Sequence, residues 1–252
     1  MNGRFRENLQ EAPFLLGSWV GSSDPGVMEA MAGSELDFIV IDSEHGPLGP
    51  DTVQLLTMAA ARFPTAVLVR VGGTETIRLM QPLDAGADGI IVPRIQSAGE
   101  VESVVEATRY PPDGLRGYGP RRAGGYGRDE AEYVTTADKR VAVIVQIETA
   151  GAIDDLEAIA RVPGLDGLLV GRNDLSASMG LARQPNHPEV HEVIDRVVQV
   201  CADAGIAAGI AGPADPEEAL RWRDLGMRFF SAGGDIGFLV QSLDRFVADV
   251  RA

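Results

Sequence analysis

The side chains able to do chemistry fall in short clusters, each placed directly after an apolar run. Asp42-Ser43-Glu44-His45 follows residues 38–41, Arg70 closes 66–69, and Pro93-Arg94 follows 89–92. Gln146-Ile147-Glu148-Thr149 closes 141–145, and Gly171-Arg172-Asn173-Asp174 follows 167–170. Glu148 and Asp174 end consecutive runs. If those runs are neighbouring strands, the two carboxylates lie about one or two strand spacings apart. Such all-oxygen pairs suit Mg²⁺ or Mn²⁺, with water or substrate completing an octahedron. Without a cation, two acids forced together repel and raise one pKa. His45 can serve as a base near neutrality. Arg70 can clamp a carboxylate or stabilise an enolate oxygen.

Other candidates read more plainly. His187 and His191 have the i, i+4 spacing of a ligand pair, but Asn186-His187-Pro188 reads better as a helix start. Asp84, in Gln-Pro-Leu-Asp-Ala-Gly, reads as a solvated residue at a helix end. Arg116, Arg121 and Arg122 lie in a Gly- and Pro-rich stretch that offers three cations to a phosphate or carboxylate, yet its residue order matches no phosphate-binding fingerprint. Lys139 is the only lysine in the chain and precedes the fifth run, so a Schiff-base enzyme has no candidate nucleophile.

The elements that must position these groups are legible in outline. Apolar runs at 14–20, 37–41, 66–71, 89–92, 141–147, 167–170, 206–211 and 228–231 are mostly unalternated, as expected of strands covered on both faces. Helical periodicity lies between them, at 51–62, 98–108 and 188–204. Asp24 before Pro25, Ser97 with Glu100, and Asp215 before Pro216 are start signals, while Gly86, Gly205 and Gly226 are stops. Eight strands alternating with helices, and no linker dividing the chain, predict a single (β/α)₈ TIM barrel over residues 1–252. In that fold the polar clusters share the C-terminal mouth. Two connections, 110–126 and 171–188, are long enough to carry function.

Composition narrows the partners. The chain has 252 residues, 22 Lys and Arg against 37 Asp and Glu, and a net charge of −15. That repels nucleic acid and anionic membrane. No apolar run reaches the roughly 18 residues of a membrane span, and the charged start lacks the apolar core of a signal peptide. One cysteine, Cys201, fits a reducing compartment, so the expectation is cytoplasmic.

Taken in order, Asp42-Ser43-Glu44-His45-Gly46-Pro47, Val92-Pro93-Arg94, Arg109-Tyr110-Pro111-Pro112-x-Gly114-x-Arg116-Gly117, Gln146-Ile147-Glu148-Thr149 and Gly171-x-x-Asp174-Leu175-Ser176 resemble the HpcH/HpaI aldolases, the metal-dependent class II pyruvate aldolases. The resemblance spans nearly the whole chain. It implies a barrel that swaps its last helix with a neighbour and assembles as a homohexamer, a trimer of dimers. It implies that Glu148 and Asp174 hold Mg²⁺, Mn²⁺ or Co²⁺, chelated by pyruvate or by the pyruvyl half of a 4-hydroxy-2-oxoacid. Arg70 would then bind the keto oxygen, His45 would be the base, and Asp84 its partner. Gln146 would orient the pyruvyl group, Gly171 and Asn173 would line its site, and Arg122 would face the aldehyde.

Two features depart from the family pattern. Arg172 stands where many relatives carry a small residue or proline, which would set a cation beside the metal. The loop with Tyr118 and Gly124-Gly125 is also individual. It most resembles the branch acting on 2-keto-3-deoxy sugar acids, and its arginines fit an anionic aldehyde. An oxaloacetate decarboxylase or a citrate-lyase-like acyl-thioester lyase on the same barrel is the alternative, since neither needs His45. A non-catalytic scaffold would have lost one of Glu148, Asp174, Arg70 or His45, and all four are present.

Overall fold

All eight expected runs form strands, and the sheet they make closes on itself. The computed structural model describes residues 5–251. Its strands are β1 (Leu15–Val20), β2 (Phe38–Asp42), β3 (Ala66–Arg70), β4 (Gly89–Val92), β5 (Ala142–Ile147), β6 (Gly167–Val170), β7 (Ala207–Gly212) and β8 (Phe229–Gly234). Each pairs in parallel with the next, and β8 returns to β1. The helices are α1 (Phe5–Glu11), α2 (Pro25–Ala32), α3 (Pro50–Ala60), α4 (Thr76–Asp84), α5 (Ala98–Thr108) and α6 (Glu130–Arg140). They continue as α7 (Ala150–Asp154), α8 (Leu156–Ala160), α9 (Arg172–Ser178), α10 (Pro188–Ala204), α11 (Pro216–Leu225) and α12 (Asp235–Arg251).

The start signals act as read. Asp24 accepts from the backbone N–H groups of Gly26 and Val27, Ser97 from Glu100, and Asp215 from Glu217. Gly205 and Gly226 stop α10 and α11 in the left-handed conformation that costs glycine nothing. His187 caps α10, its Nδ1 accepting from Glu189 N at 3.3 Å, and His191 stacks on Trp222 with ring centroids 5.6 Å apart. The pair is structural. Two elements depart from expectation. The second long connection contains α9, and α6 rises from a sequence too polar to announce it, burying only Tyr133 and Ala137.

Period-two alternation divides the strands between two cores. Phe38, Val40, Leu68, Ile91, Ile144, Leu169 and Phe229 fill the barrel, whereas Ile39, Ile41, Val67 and Val69 pack under the helices. Both faces are therefore apolar, which is why the runs do not alternate. The interior is tight: a Cβ on Gly17 would come within 2.3 Å of the Phe38 ring.

The two ends of the barrel differ. At the N-terminal end α1 forms a lid, with Phe5 edge-on to Phe38 at 5.4 Å and Leu9 beside it. Burying each contributes about 1.5–3 kcal/mol. Arg6 there donates to Asp166 at 2.6 Å, and Asp166 in turn accepts from Val143 N at 2.8 Å. Lys139, in the last turn of α6, lies at this closed end. The C-terminal end is open. α12 buries none of its residues, leaving Ile236, Phe238, Leu239, Leu243, Phe246 and Val250 exposed. Among the described residues no helix is long and apolar enough to cross a membrane.

Candidate active site

Strand register decides which polar side chains meet at the open end. Asp42 and Arg70 are partners across β2 and β3, and Asp42 continues the inward set of Phe38 and Val40. The two therefore face each other inside the mouth. Arg70 donates to Asp42 through Nε at 3.0 Å and Nη2 at 2.7 Å, a two-pronged pair, while Nη1 lies 3.3 Å from Glu44. Trp19, at the end of β1, lies 4.5 Å from the guanidinium carbon. Burial alone would raise the Asp42 carboxyl, but its bonds and charge interaction with Arg70 hold it below the usual range. Arg70, with 9% of its surface exposed, is thus a fixed cation rather than a free one.

Glu148 is the buried acid of the site. Its Oε1 accepts from Arg94 N at 2.8 Å and its Oε2 from Gln146 Nε2 at 2.6 Å. Arg94 adopts a φ of 59° to aim that N–H, a conformation that costs a side-chain-bearing residue about 1–2 kcal/mol. Burial pushes the Glu148 carboxyl above its ordinary range, and the charges of Glu44 and Asp174 push the same way. Asp174, in the first turn of α9, is exposed and makes no hydrogen bond or ion pair with the described residues. Gly171 permits the crowding between them: a Cβ there would lie 2.7 Å from Glu148 Oε2 and 2.8 Å from Gln146 Nε2.

These groups line two cavities that share His45 and Asp174 in their walls. The larger, ≈680 Å³, is bounded by Trp19, Arg70, Gln146, Gly171, Asn173 and Asp174 among others. The smaller, ≈320 Å³, has Glu44, Arg94, Glu148 and Asp174 in its wall. His45 borders both. Its ring is 64% exposed, with Nε2 3.8 Å from Glu44.

The donor chemistry fits a hard divalent cation. Two carboxylates with mutual repulsion stand beside the Gln146 Oε1 atom, which is buried without a partner. Among the described residues no group of three His, Cys, Asp or Glu side chains could hold a metal. The pair would thus leave most coordination positions to water and substrate, as Mg²⁺ sites commonly do.

The structure does not bring two expected residues to the mouth of the barrel. Asp84 ends α4, shortly before β4 begins, so it lies at the closed end of the barrel, opposite His45. It pairs with Arg116 at 2.6 Å, and Arg116 is wholly buried against Tyr110 and Tyr133. Asp84 is pushed up by burial, against the lowering effect of Arg116. Arg122 donates to the Ala85 carbonyl at 2.8 Å at the same end. Asp84 was expected to partner His45 and Arg122 to face the aldehyde; their places at a helix end and in a loop did not reveal which end of the barrel they occupy. Arg172 also differs from expectation. It is turned onto Glu218 and Asn186 rather than left as a bare cation beside Asp174.

With this geometry in view, the model of the HpcH/HpaI aldolase/citrate lyase family matches residues 15–241. The chain belongs to that family. A hydroxypyruvate/pyruvate aldolase of Pseudomonas aeruginosa is 36% identical over 241 residues, covering 95% of this chain and 90% of its own. A 4-hydroxy-2-oxo-heptane-1,7-dioate aldolase of Salmonella paratyphi C is 36% identical over 250 residues, covering 98% and 94%. A crystal structure of an HpcH/HpaI aldolase/citrate lyase family protein from Burkholderia cenocepacia J2315 superimposes with a TM-score of 0.94 at 33% identity, covering 99% and 100%. As an HpcH/HpaI family member, the chain is a carbon–carbon lyase. Sequence reading had missed what binds Arg70. Asp42 appeared only as part of a motif and Trp19 not at all, although the inward parity of Phe38, Val40 and Asp42 was available as a signal.

Proposed function

We propose that this lyase cleaves and forms 4-hydroxy-2-oxoacids of the 2-keto-3-deoxy sugar acid type, with pyruvate and an aldehyde as the two halves. The observation that carries this is the Glu148–Asp174 pair, set beside the orphaned Gln146 amide oxygen and the fixed Arg70 guanidinium in one open mouth. Glu148 and Asp174 would hold Mg²⁺, Mn²⁺ or Co²⁺, which when bound supplies Lewis acidity to the oxoacid.

The chain's own residues account for the remaining work. Arg70, oriented by Asp42 and Trp19, stabilises the negative charge that grows on the keto oxygen. Gln146 orients the pyruvyl group, with Gly171 and Asn173 forming the adjoining wall. His45 takes the proton of the 4-hydroxyl. The C3–C4 electron pair moves to C3, C4 becomes the aldehyde carbonyl, and the pyruvate enolate is then protonated at C3. Condensation is the reverse. Lys139 at the closed end leaves no amine for a Schiff base.

Asp84 and Arg122 can serve a mouth only from a second copy of the chain, because they occupy the opposite end of their own barrel. A homohexamer built as a trimer of dimers, with α12 exchanged between neighbours, would meet that need and would cover the exposed face of α12. The single buried thiol fits work in the cytoplasm.

The first test needs no aldehyde. Incubation with pyruvate in D₂O and Mg²⁺ or Mn²⁺ should erase the methyl proton signal, and EDTA should abolish that loss. Retention of the methyl signal by protein shown to bind metal would sink the enolate reading.

A further inference from the structure

Beyond Asp174, the wall of the larger cavity is a second ion pair that the steps above do not use. Arg172 opens α9, and Glu218 lies in the first turn of α11. Arg172 Nη2 donates to Glu218 Oε1 at 2.5 Å and Nη1 to Asn186 Oδ1 at 3.1 Å. Trp222 Nε1 donates to the same Glu218 oxygen at 3.0 Å, and its ring lies 5.5 Å from the guanidinium carbon. The side chains are only 9% and 16% exposed. A pair held by this many partners is stiff, and its charges cancel locally. Arg172 Nε and Glu218 Oε2 make no hydrogen bond within the described chain, so the pair retains unused donors on Arg172 and an acceptor on Glu218.

The charge balance of this cavity bears on the aldehyde. Arg70 is paired with Asp42 and Arg172 with Glu218, so neither arginine lining this cavity is left without a carboxylate partner.

We propose that the Arg172–Glu218 pair is the specificity-determining element of the aldehyde subsite, and that it selects an uncharged, hydroxylated aldehyde. This deepens the lyase reading and rests on it. A hydroxyl can accept from Arg172 and donate to Glu218 at once. An alkyl chain leaves both groups unmatched, and a site built to hydrogen-bond a hydroxyl discriminates strongly against a substrate that lacks it. A carboxylate has no proton for Glu218 and meets its charge instead.

The test measures aldol formation from pyruvate with Mg²⁺ or Mn²⁺ and three aldehydes: glyceraldehyde, propanal and succinic semialdehyde. The wild type should favour glyceraldehyde over each of the others by at least about tenfold in kcat/KM. Glu218→Gln and the double variant Arg172→Leu/Glu218→Leu, which leaves no lone buried charge, should bring the glyceraldehyde-to-propanal ratio close to one. Because the ratio is taken within one preparation, it is unaffected by loss of folded or active protein. Wild-type preference for propanal or succinic semialdehyde, or variants that keep the wild-type ratio, would overturn the proposal. Failure of the lyase reading is separately visible, since wild-type protein would then not exchange the pyruvate methyl protons at all.

Discussion

Gly171 shows how little room the site leaves at the scale of one residue. Its missing side chain lets Glu148 Oε2 and Gln146 Nε2 approach the start of α9, where a Cβ would stand 2.7 Å and 2.8 Å from them. Gly171→Ala should therefore displace the Glu148–Gln146 hydrogen bond and weaken metal binding about 10–100-fold, the range found when partners of metal ligands are lost. Calorimetric titration with Mn²⁺ checks this, and unaltered affinity would contradict it. Arg70 and Asp42 supply the complementary case. Their pairing went unread: the inward parity that Asp42 shares with Phe38 and Val40 was a signal in the sequence, but the register that sets it level with Arg70 across β2 and β3 was not. Arg172 and Glu218 were not readable as a pair. They lie 46 residues apart, and only the pairing of β6 with β7, the strands that lead into α9 and α11, joins them.

Elements were the most legible level, for a local reason. Strand runs and helix caps depend on a few adjacent residues, so Asp24, Ser97, Asp215, Gly205 and Gly226 carry their structural meaning in the sequence. α6 escaped because its contacts are few and aromatic, with Tyr133 reaching Arg116 rather than filling a periodic stripe. α10 offers a test of how completely an amphipathic helix seals its inner face. Val190, Ile194, Val197 and Cys201 are buried along it, and burial pushes the Cys201 thiol up to about 12. At pH 8 the native protein should react negligibly with a disulfide reagent, since thiolate is the reactive form, and should release one equivalent of thiol once unfolded in guanidinium. Rapid labelling of the folded protein would show that α10 lifts from the barrel.

At the scale of the whole molecule, the barrel has one closed end, where Asp84 pairs with Arg116, and one open end, and the apolar face of α12 is exposed on the described chain. The sequence could place these residues on a helix or in a loop, but it could not say which surfaces another chain covers. In the proposed assembly, Leu243→Asp with Phe246→Asp should reduce the mass measured by light scattering, because both side chains stand more than half exposed on α12. An unchanged mass would mean that α12 holds no copies together. In the proposed assembly, the separation of His45 from Asp84 has a genetic consequence. Two defective alleles, His45→Ala and Asp84→Asn, should complement one another. Dissociated together and allowed to reassociate in equal amounts, they would re-create about a quarter of the sites with both native side chains, one contributed by each parent. Activity would then rise from two nearly silent preparations, whereas the double variant mixed with itself would stay silent.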